Sequence, residues 1–360
     1  MAYSTIKDPS AHFQTVLWTG NNADTHAITN DGNSDLQPDW VWIKRRDYDN
    51  QPVLHDSSRG VTKFISTDRS DAEGTISPTT KFQSFDSDGF SLDSTGTVNA
   101  NSQTFVAWGW KANGGTETTS QSESGSQIAC SVQANTTAGF SIITYTGTGG
   151  TGHTFLHGLG AAPGWLLIKR TSGTEDWLVF HHKNTSDPAT DHLLLNTNDG
   201  TSDSATRFDD TAPNATEVAC GNNAVINGDG STYVCWAWKE VKGFSKFGGY
   251  KGNGSSSDGP FVHTGFKPAW LMTKKSSASD HWKIYDNQRD PFNDGSLTGM
   301  KANQNESEAD AGTRGIDLLS NGFKIREGDG DTNGVNQDFI YMAFAEHPFV
   351  SSKGVPVTAR

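Results

Sequence analysis

The sequence predicts an all-β protein made of three tandem β-sandwich units, jelly-roll or lectin-like, and three observations carry that expectation. The first is an internal repeat. Pro38-Asp39-Trp40-Val41-Trp42-Ile43-Lys44, Pro163-Gly164-Trp165-Leu166-Leu167-Ile168-Lys169 and Pro268-Ala269-Trp270-Leu271-Met272-Thr273-Lys274 each run from a proline through a tryptophan and an apolar run to a lysine. Their prolines lie 125 and 105 residues apart, a spacing that fits domain-sized copies better than a short-period solenoid. The second is composition. Only 33% of the 360 residues are hydrophobic, while 39 are Gly and 11 are Trp, which suits short strands joined by polar turns around a few large aromatics. The third is that no window keeps helical periodicity over about ten residues.

Taken in order, residues 1–14 form a polar arm that only packing on something else would order. The first unit spans 15–111, the second 139–239 and the third 243–348. Each opens with an aromatic before a Gly turn: Trp18-Thr19-Gly20, Tyr145-Thr146-Gly147 and Tyr250-Lys251-Gly252. Each then has the proline-anchored strand and a following strand in which Asp56, His181 and Asp286 stand eighteen residues past the proline. Each closes on an aromatic strand: Phe105 to Lys111, Tyr233 to Lys239, and Tyr341 to His347. Two Gly-containing segments, Asp86-Ser87-Asp88-Gly89 and Leu319-Ser320-Asn321-Gly322, predict hairpins with type I′ turns. Residues 66–81 predict a long surface loop, 112–138 a linker and incoming strand, and 349–360 an extended C-terminal arm. The linker leaves the first unit set apart, while the second and third share a fixed interface.

A net charge of −13 disfavours a nucleic-acid partner. The one basic cluster, Lys44-Arg45-Arg46, reads as the solvated end of a strand. Cys130, Cys220 and Cys235 show no metal spacing and suggest no disulfide framework, and Cys235 takes the small-residue place of Ala107 and Ala343. The opening residues contain no apolar signal core and no apolar run is long enough to span a bilayer, so synthesis in a cytoplasm without membrane insertion is expected.

For chemistry, His181-His182 with His192, and His153 with His157, are the metal-ligand candidates; the Asp at the His181 position in the other copies favours a surface strand histidine instead. No catalytic constellation is evident, and no cofactor is expected. Ca²⁺ is the one candidate ion, in the loops Asn30–Asp35, Asn227–Gly230 and Asp329–Asp331, whose Asx and Gly residues equally suit plain turns. Trp40, Trp165, Trp270, Trp108, Trp236 and Phe344 read as repeated core aromatics, although Trp108 and Trp236 could with Trp110 and Trp238 line a sugar-stacking face. Trp18 and Trp42, which have no tryptophan at the matching places, are the candidates for exposed surface or glycan contacts.

Several stretches resemble a repeat family of marine and cyanobacterial bacteriophage virion proteins. They are Gly139 to Gly147, His157 to Pro163, Asp258 to Trp270, Phe339 to Glu346, and the opening Asp8-Pro9 through Phe13-Gln14 with Leu36 to Lys44. The resemblance implies a non-enzymatic virion structural protein, associated with tail or tail fibre and with host attachment. It brings no catalytic residues. The expected partners are copies of itself, a trimer first, other virion proteins and host surface glycan. A capsid decoration protein and, less favoured, a glycan-degrading depolymerase with paired carboxylates across a groove are the alternatives.

Overall fold

The computed structural model describes residues 4–75, 81–293, 297–308 and 313–345. The last two residues of the third closing segment, Glu346 and His347, and the arm at 349–360 lie outside them. The protein is all-β and antiparallel. Among the described residues, helix is confined to Pro9–Ala11, Ala205–Phe208, Ala224–Asn227 and Gly330–Asn333.

One strand order recurs in three large sheets. In the first, Phe13–Thr19 pairs with the closing strand Thr104–Trp110, followed across the sheet by Trp40–Arg45, Val53–Asp56 and Lys63–Ser66. The second runs Phe140–Thr146, Thr232–Trp238, Trp165–Arg170, Leu178–His181 and Asp191–Leu194. The third runs Ser245–Lys251, Asp338–Ala345, Pro268–Lys275, Lys283–Asp286 and Met300–Lys301. The aromatic closing strand therefore sits inside each sheet, where both faces are buried, and this is why it reads as a continuous apolar run.

Alternation along each strand divides its side chains between two cores. In the first unit Val41, Ile43, Val53 and Phe105 point outward, against Ile28, Phe82, Phe90 and Leu92 of a smaller sheet formed by His26–Thr29, Gly89–Leu92 and Phe82–Asp86. The third unit is covered likewise by Phe261–His263, Gly322–Ile325 and Ile316–Leu319, and the second by His153–Leu156 and Glu217–Cys220. Each unit is thus a sandwich with its own outer core.

The inward faces meet in one further core. It holds Trp40, Trp42, Trp108 and Trp110 from the first unit, Trp165, Trp177, Trp236 and Trp238 from the second, and Trp270, Trp282, Met342 and Phe344 from the third. Trp40 lies edge-on to Trp238 at 5.6 Å, and Trp110 to Trp270 at 5.3 Å. The expectation of a first unit set apart is therefore overturned. Its small sheet already covers the outward face, so the inward tryptophans can leave water only by packing on the other two units. The indole N–H groups of Trp40, Trp42, Trp110, Trp236, Trp238 and Trp270 find no hydrogen-bond acceptor here. They sit among edge-to-face ring pairs, where a ring face is the nearest substitute.

The stretch after Lys111 is not a free linker. Buried Asp39 accepts from the backbone N–H of Ala112 at 2.7 Å, Gly114 at 3.0 Å and Gly115 at 2.9 Å, and from the Ser57 hydroxyl at 2.6 Å. Thr119–Gln121 then adds an edge strand to Cys130–Asn135. Of the expected N-terminal arm, residues 4–14 pack on their own chain: Ile6 is buried, and Phe13 stacks on Phe344 of the third unit at 5.4 Å.

Both hairpins form, but not with type I′ turns. The pairs Asp86↔Gly89 and Leu319↔Gly322 put the glycines in the strands, and neither Asp88 nor Asn321 has a positive φ. These glycines answer a different need. A Cβ would stand 1.9 Å from the Ile28 carbonyl oxygen at position 89, and 2.0 Å from that of Val262 at position 322. The adjoining strand of the small sheet can approach only a residue without a side chain.

Candidate functional site

The sequence landmarks converge on the seams between units, and the seams repeat around the molecule. At the first seam, Glu73 of the first unit donates its backbone N–H to Thr171 of the second, and Glu175 donates back to Ser70. At the second, Thr201 bonds Ser276 and Asp280 bonds Asn198. At the third, Glu308 bonds Arg46 and Asn50 bonds Asn305, which returns the chain to its first unit. Three sandwiches are thereby closed into a ring by matched pairs of backbone hydrogen bonds.

The lysine that ends each proline-anchored motif crosses the same seams. Lys44 Nζ donates to the Gln304 carbonyl at 2.6 Å, Lys169 to Ser70 at 3.2 Å and Lys274 to Asn198 at 3.3 Å. Lys44 is accordingly buried, which corrects the reading of Lys44-Arg45-Arg46 as a solvated strand end; Arg45 pairs with Asp47 and Arg46 with Glu308. Burial pushes all three lysines down to about 8, against weaker upward pulls from nearby carboxylates such as Asp68, Glu175 and Asp280. With a folded pKa below the unfolded 10.5, the unfolded chain binds more protons between those values, so stability from these groups rises with pH there. The stability of the wild type relative to Lys44→Met should therefore climb from about pH 8 upward, by at most ~1.4 kcal/mol per pH unit. Urea titrations at several pH values check this, and a flat difference would contradict the buried charge.

Asp56, His181 and Asp286 lie opposite the motif tryptophans, in the register Trp40↔Asp56, Trp165↔His181 and Trp270↔Asp286. All three are buried. Asp286 accepts from Arg289 Nε at 2.6 Å and from Trp108 Nε1 of the first unit at 3.0 Å. Asp56 holds Arg59 Nε at 2.6 Å, and the Arg59 guanidinium lies over the Trp236 ring of the second unit. His181 is not a surface histidine. Its Nε2 donates to the Tyr341 carbonyl of the third unit and its Nδ1 accepts from the Lys183 N–H, an arrangement for the neutral ring. Burial depresses its pKa to about 3.

Trp18 and Trp42 do not form exposed contacts. Trp42 is buried edge-on to Trp40 and Trp108, each at 5.7 Å. Trp18 is half-buried, stacked on Phe105 at 5.4 Å, with Nε1 donating to the Val98 carbonyl. It has counterparts in the stacked pairs Tyr145–Tyr233 and Tyr250–Phe339, each at 4.9 Å, whose hydroxyls donate to the Ile226 and Thr332 carbonyls. Trp40, Trp165, Trp270, Trp108, Trp236 and Phe344 are all buried in the shared core, so Trp108 and Trp236 offer no face to a sugar.

Sequence reasoning missed Asn99 and Asn333 and read Asn227 only as part of a candidate Ca²⁺ loop; all three stand five residues before a closing strand. Each is buried and accepts the N–H after the opening Gly turn, from Asn21, Thr148 and Asn253. That recurring offset was the available signal. Of the remaining polar candidates, His192 is buried with its Nδ1 left without a hydrogen-bond partner, and most of the others are bonded within the fold. His153 meets Thr148, His157 the Asn214 carbonyl, and His182 that of Phe247. In the acidic loops, Ser34 bonds Asp8, Gly32 bonds Gln14, Asn227 bonds the Gly150 carbonyl, and Asp329 caps Asp331, which pairs with Lys283. Among the described residues, no three His, Cys, Asp or Glu side chains are grouped to hold a metal. All three cysteines are free and buried, and burial raises their thiol pKa values, leaving them protonated. No helix of the described residues is long and apolar enough to cross a membrane.

The ring of seams defines an all-β sandwich protein whose charged residues link its own parts. The chain belongs to a family described as a domain of unknown function (DUF7483), whose model matches residues 8–348. No curated protein and no solved structure gives a significant match.

Proposed function

We propose that the protein is a non-enzymatic structural component of a bacteriophage virion, in the tail or tail fibre, where it contributes to host attachment. It is made in the host cytoplasm, joins other virion proteins and copies of itself, and meets host surface glycan. The observation that supports a building-block role is the closed ring. Glu308 through Arg46, Asp286 through the Trp108 indole and the three seam lysines hold units together, while Glu73 and Arg289 are paired within their own units. A depolymerase would set two carboxylates across a groove. The grooves at the first and second seams each carry one, Glu73 and Asp338, each already paired with a cation. Because one chain already surrounds a threefold-like axis, a homotrimer would assemble through outer surfaces.

Cryo-electron microscopy of intact particles tests the placement. Density on the tail is the expected result. Density spread over the capsid lattice would overturn it in favour of a decoration protein, and release of reducing ends from host polysaccharide would overturn the non-enzymatic reading.

A further inference from the structure

Among the described residues the first and second seams stay open as grooves, and we propose that these are saccharide-binding sites, each taking a short neutral glycan segment. The groove at the first seam encloses about 500 Å³ and that at the second about 550 Å³, both within the range of small-ligand sites. They occupy matching places. Thr171 lines the first groove and Ser276 the second, and their backbone N–H groups bond Thr232 and Asp338 as that of Arg46 bonds Thr104 at the third seam. The side chains differ there. Arg46 reaches Glu308 at 2.6 Å, which Arg289 also holds at 3.2 Å, so a cation bridges the third seam. A threonine or serine has no such reach, and the first two seams are left unbridged at that position.

The lining chemistry selects the ligand class. Around the first groove stand hydroxyls of Ser58, Ser131, Thr144, Thr146, Thr171 and Thr232. Around the second stand those of Thr185, Ser186, Thr201, Ser276 and Ser277, with the Asn184 amide. Hydroxyls and amides both donate and accept, which matches a polyol and would be stranded by an apolar ligand. In the first groove Arg59 is shared between Asp56 and Glu73, which Lys63 also holds; in the second Lys251 holds Asp338, and Lys183 lines the wall as well. An anionic chain would meet a carboxylate in either groove. The stacked pairs Tyr145–Tyr233 and Tyr250–Phe339 contribute to the walls.

This rests on the glycan-contact part of the proposed function and is independent of where on a particle the protein sits. The test uses the full chain with maltotriose, cellotriose, chitotriose and lactose as probes, by saturation-transfer NMR and calorimetry. At least one probe is expected to bind at two sites per chain. Thr171→Arg and Ser276→Arg, which place the third seam's residue in each groove, should each remove one site, and the double variant should weaken binding at least about tenfold. Binding by none of the probes, or two sites surviving in a folded double variant, overturns the proposal. Should the variants fail to fold, wild-type crystals soaked with a binding probe decide it, since density outside both grooves is equally fatal. Failure here leaves the particle microscopy as a separate test of the virion assignment.

Discussion

Replacing Asp286 with alanine is expected to destabilise the protein by about 3–5 kcal/mol, the range for removing one partner of a buried ion pair. The side chains of Asp286 and Arg289 are fully buried, and Asp286 also takes the Arg289 N–H and the Trp108 indole N–H. Truncation leaves a guanidinium out of water with Glu308 as its remaining carboxylate, and strands the indole donor as well. The second unit shows another solution at the same place. There His181 is neutral and Asn184, three residues on, bonds Thr201. The double substitution Asp286→His with Arg289→Asn should accordingly recover part of the loss, because it removes the charge together with its counter-charge. Guanidinium denaturation at neutral pH measures both variants. A loss under about 1 kcal/mol in the single variant would mean that Arg289 reaches water and that the buried pair is misdescribed.

How much of this was legible in the sequence depended on whether a feature is local. Strands, their alternation and the threefold landmarks follow from residue type and spacing, and the all-β class follows from them. The destination of a face does not. Trp42 and Val41 are adjacent, yet one enters the core shared by three units and the other the first unit's own core, and nothing local says which face meets a neighbour. The same limit misled the readings of Trp42, His181 and Lys44 as exposed groups. Each crosses to, or packs within, a region completed by another unit, and their burial exists only once the ring closes. The glycines at 89 and 322 show the converse. Asp-Gly and Asn-Gly have a ready local explanation in turn chemistry, but a carbonyl from a strand distant in sequence is what requires them. The seam grooves were invisible for a related reason: Arg46, Thr171 and Ser276 each stand eight residues past a motif proline, but only the folded chain shows that these places face a neighbouring unit.

Trp110→Ala is the substitution that asks whether the shared core makes one cooperative molecule. Its ring is 4.6 Å from Phe13, 4.8 Å from Trp40, 6.3 Å from Trp238, 5.3 Å from Trp270 and 5.3 Å from Phe344, so it touches all three units. Truncation of a buried tryptophan costs about 3–5 kcal/mol when the surroundings cannot collapse into the space. Collapse is hindered here because the neighbouring rings are fixed by three different sheets, each held by its own ladder and outer core. The expected result is a loss in that range, with all three units unfolding together at a lower temperature in one calorimetric transition. Hydrogen exchange should show protection falling in the closing strands of every unit, Thr104–Trp110, Thr232–Trp238 and Asp338–Ala345, including those that carry no substitution. Independent sandwiches would behave differently, since the cavity would then loosen the first unit and leave the melting and protection of the other two where they were. That outcome would refute the common core as the element that binds the ring together, and would leave that role to the polar contacts at the seams.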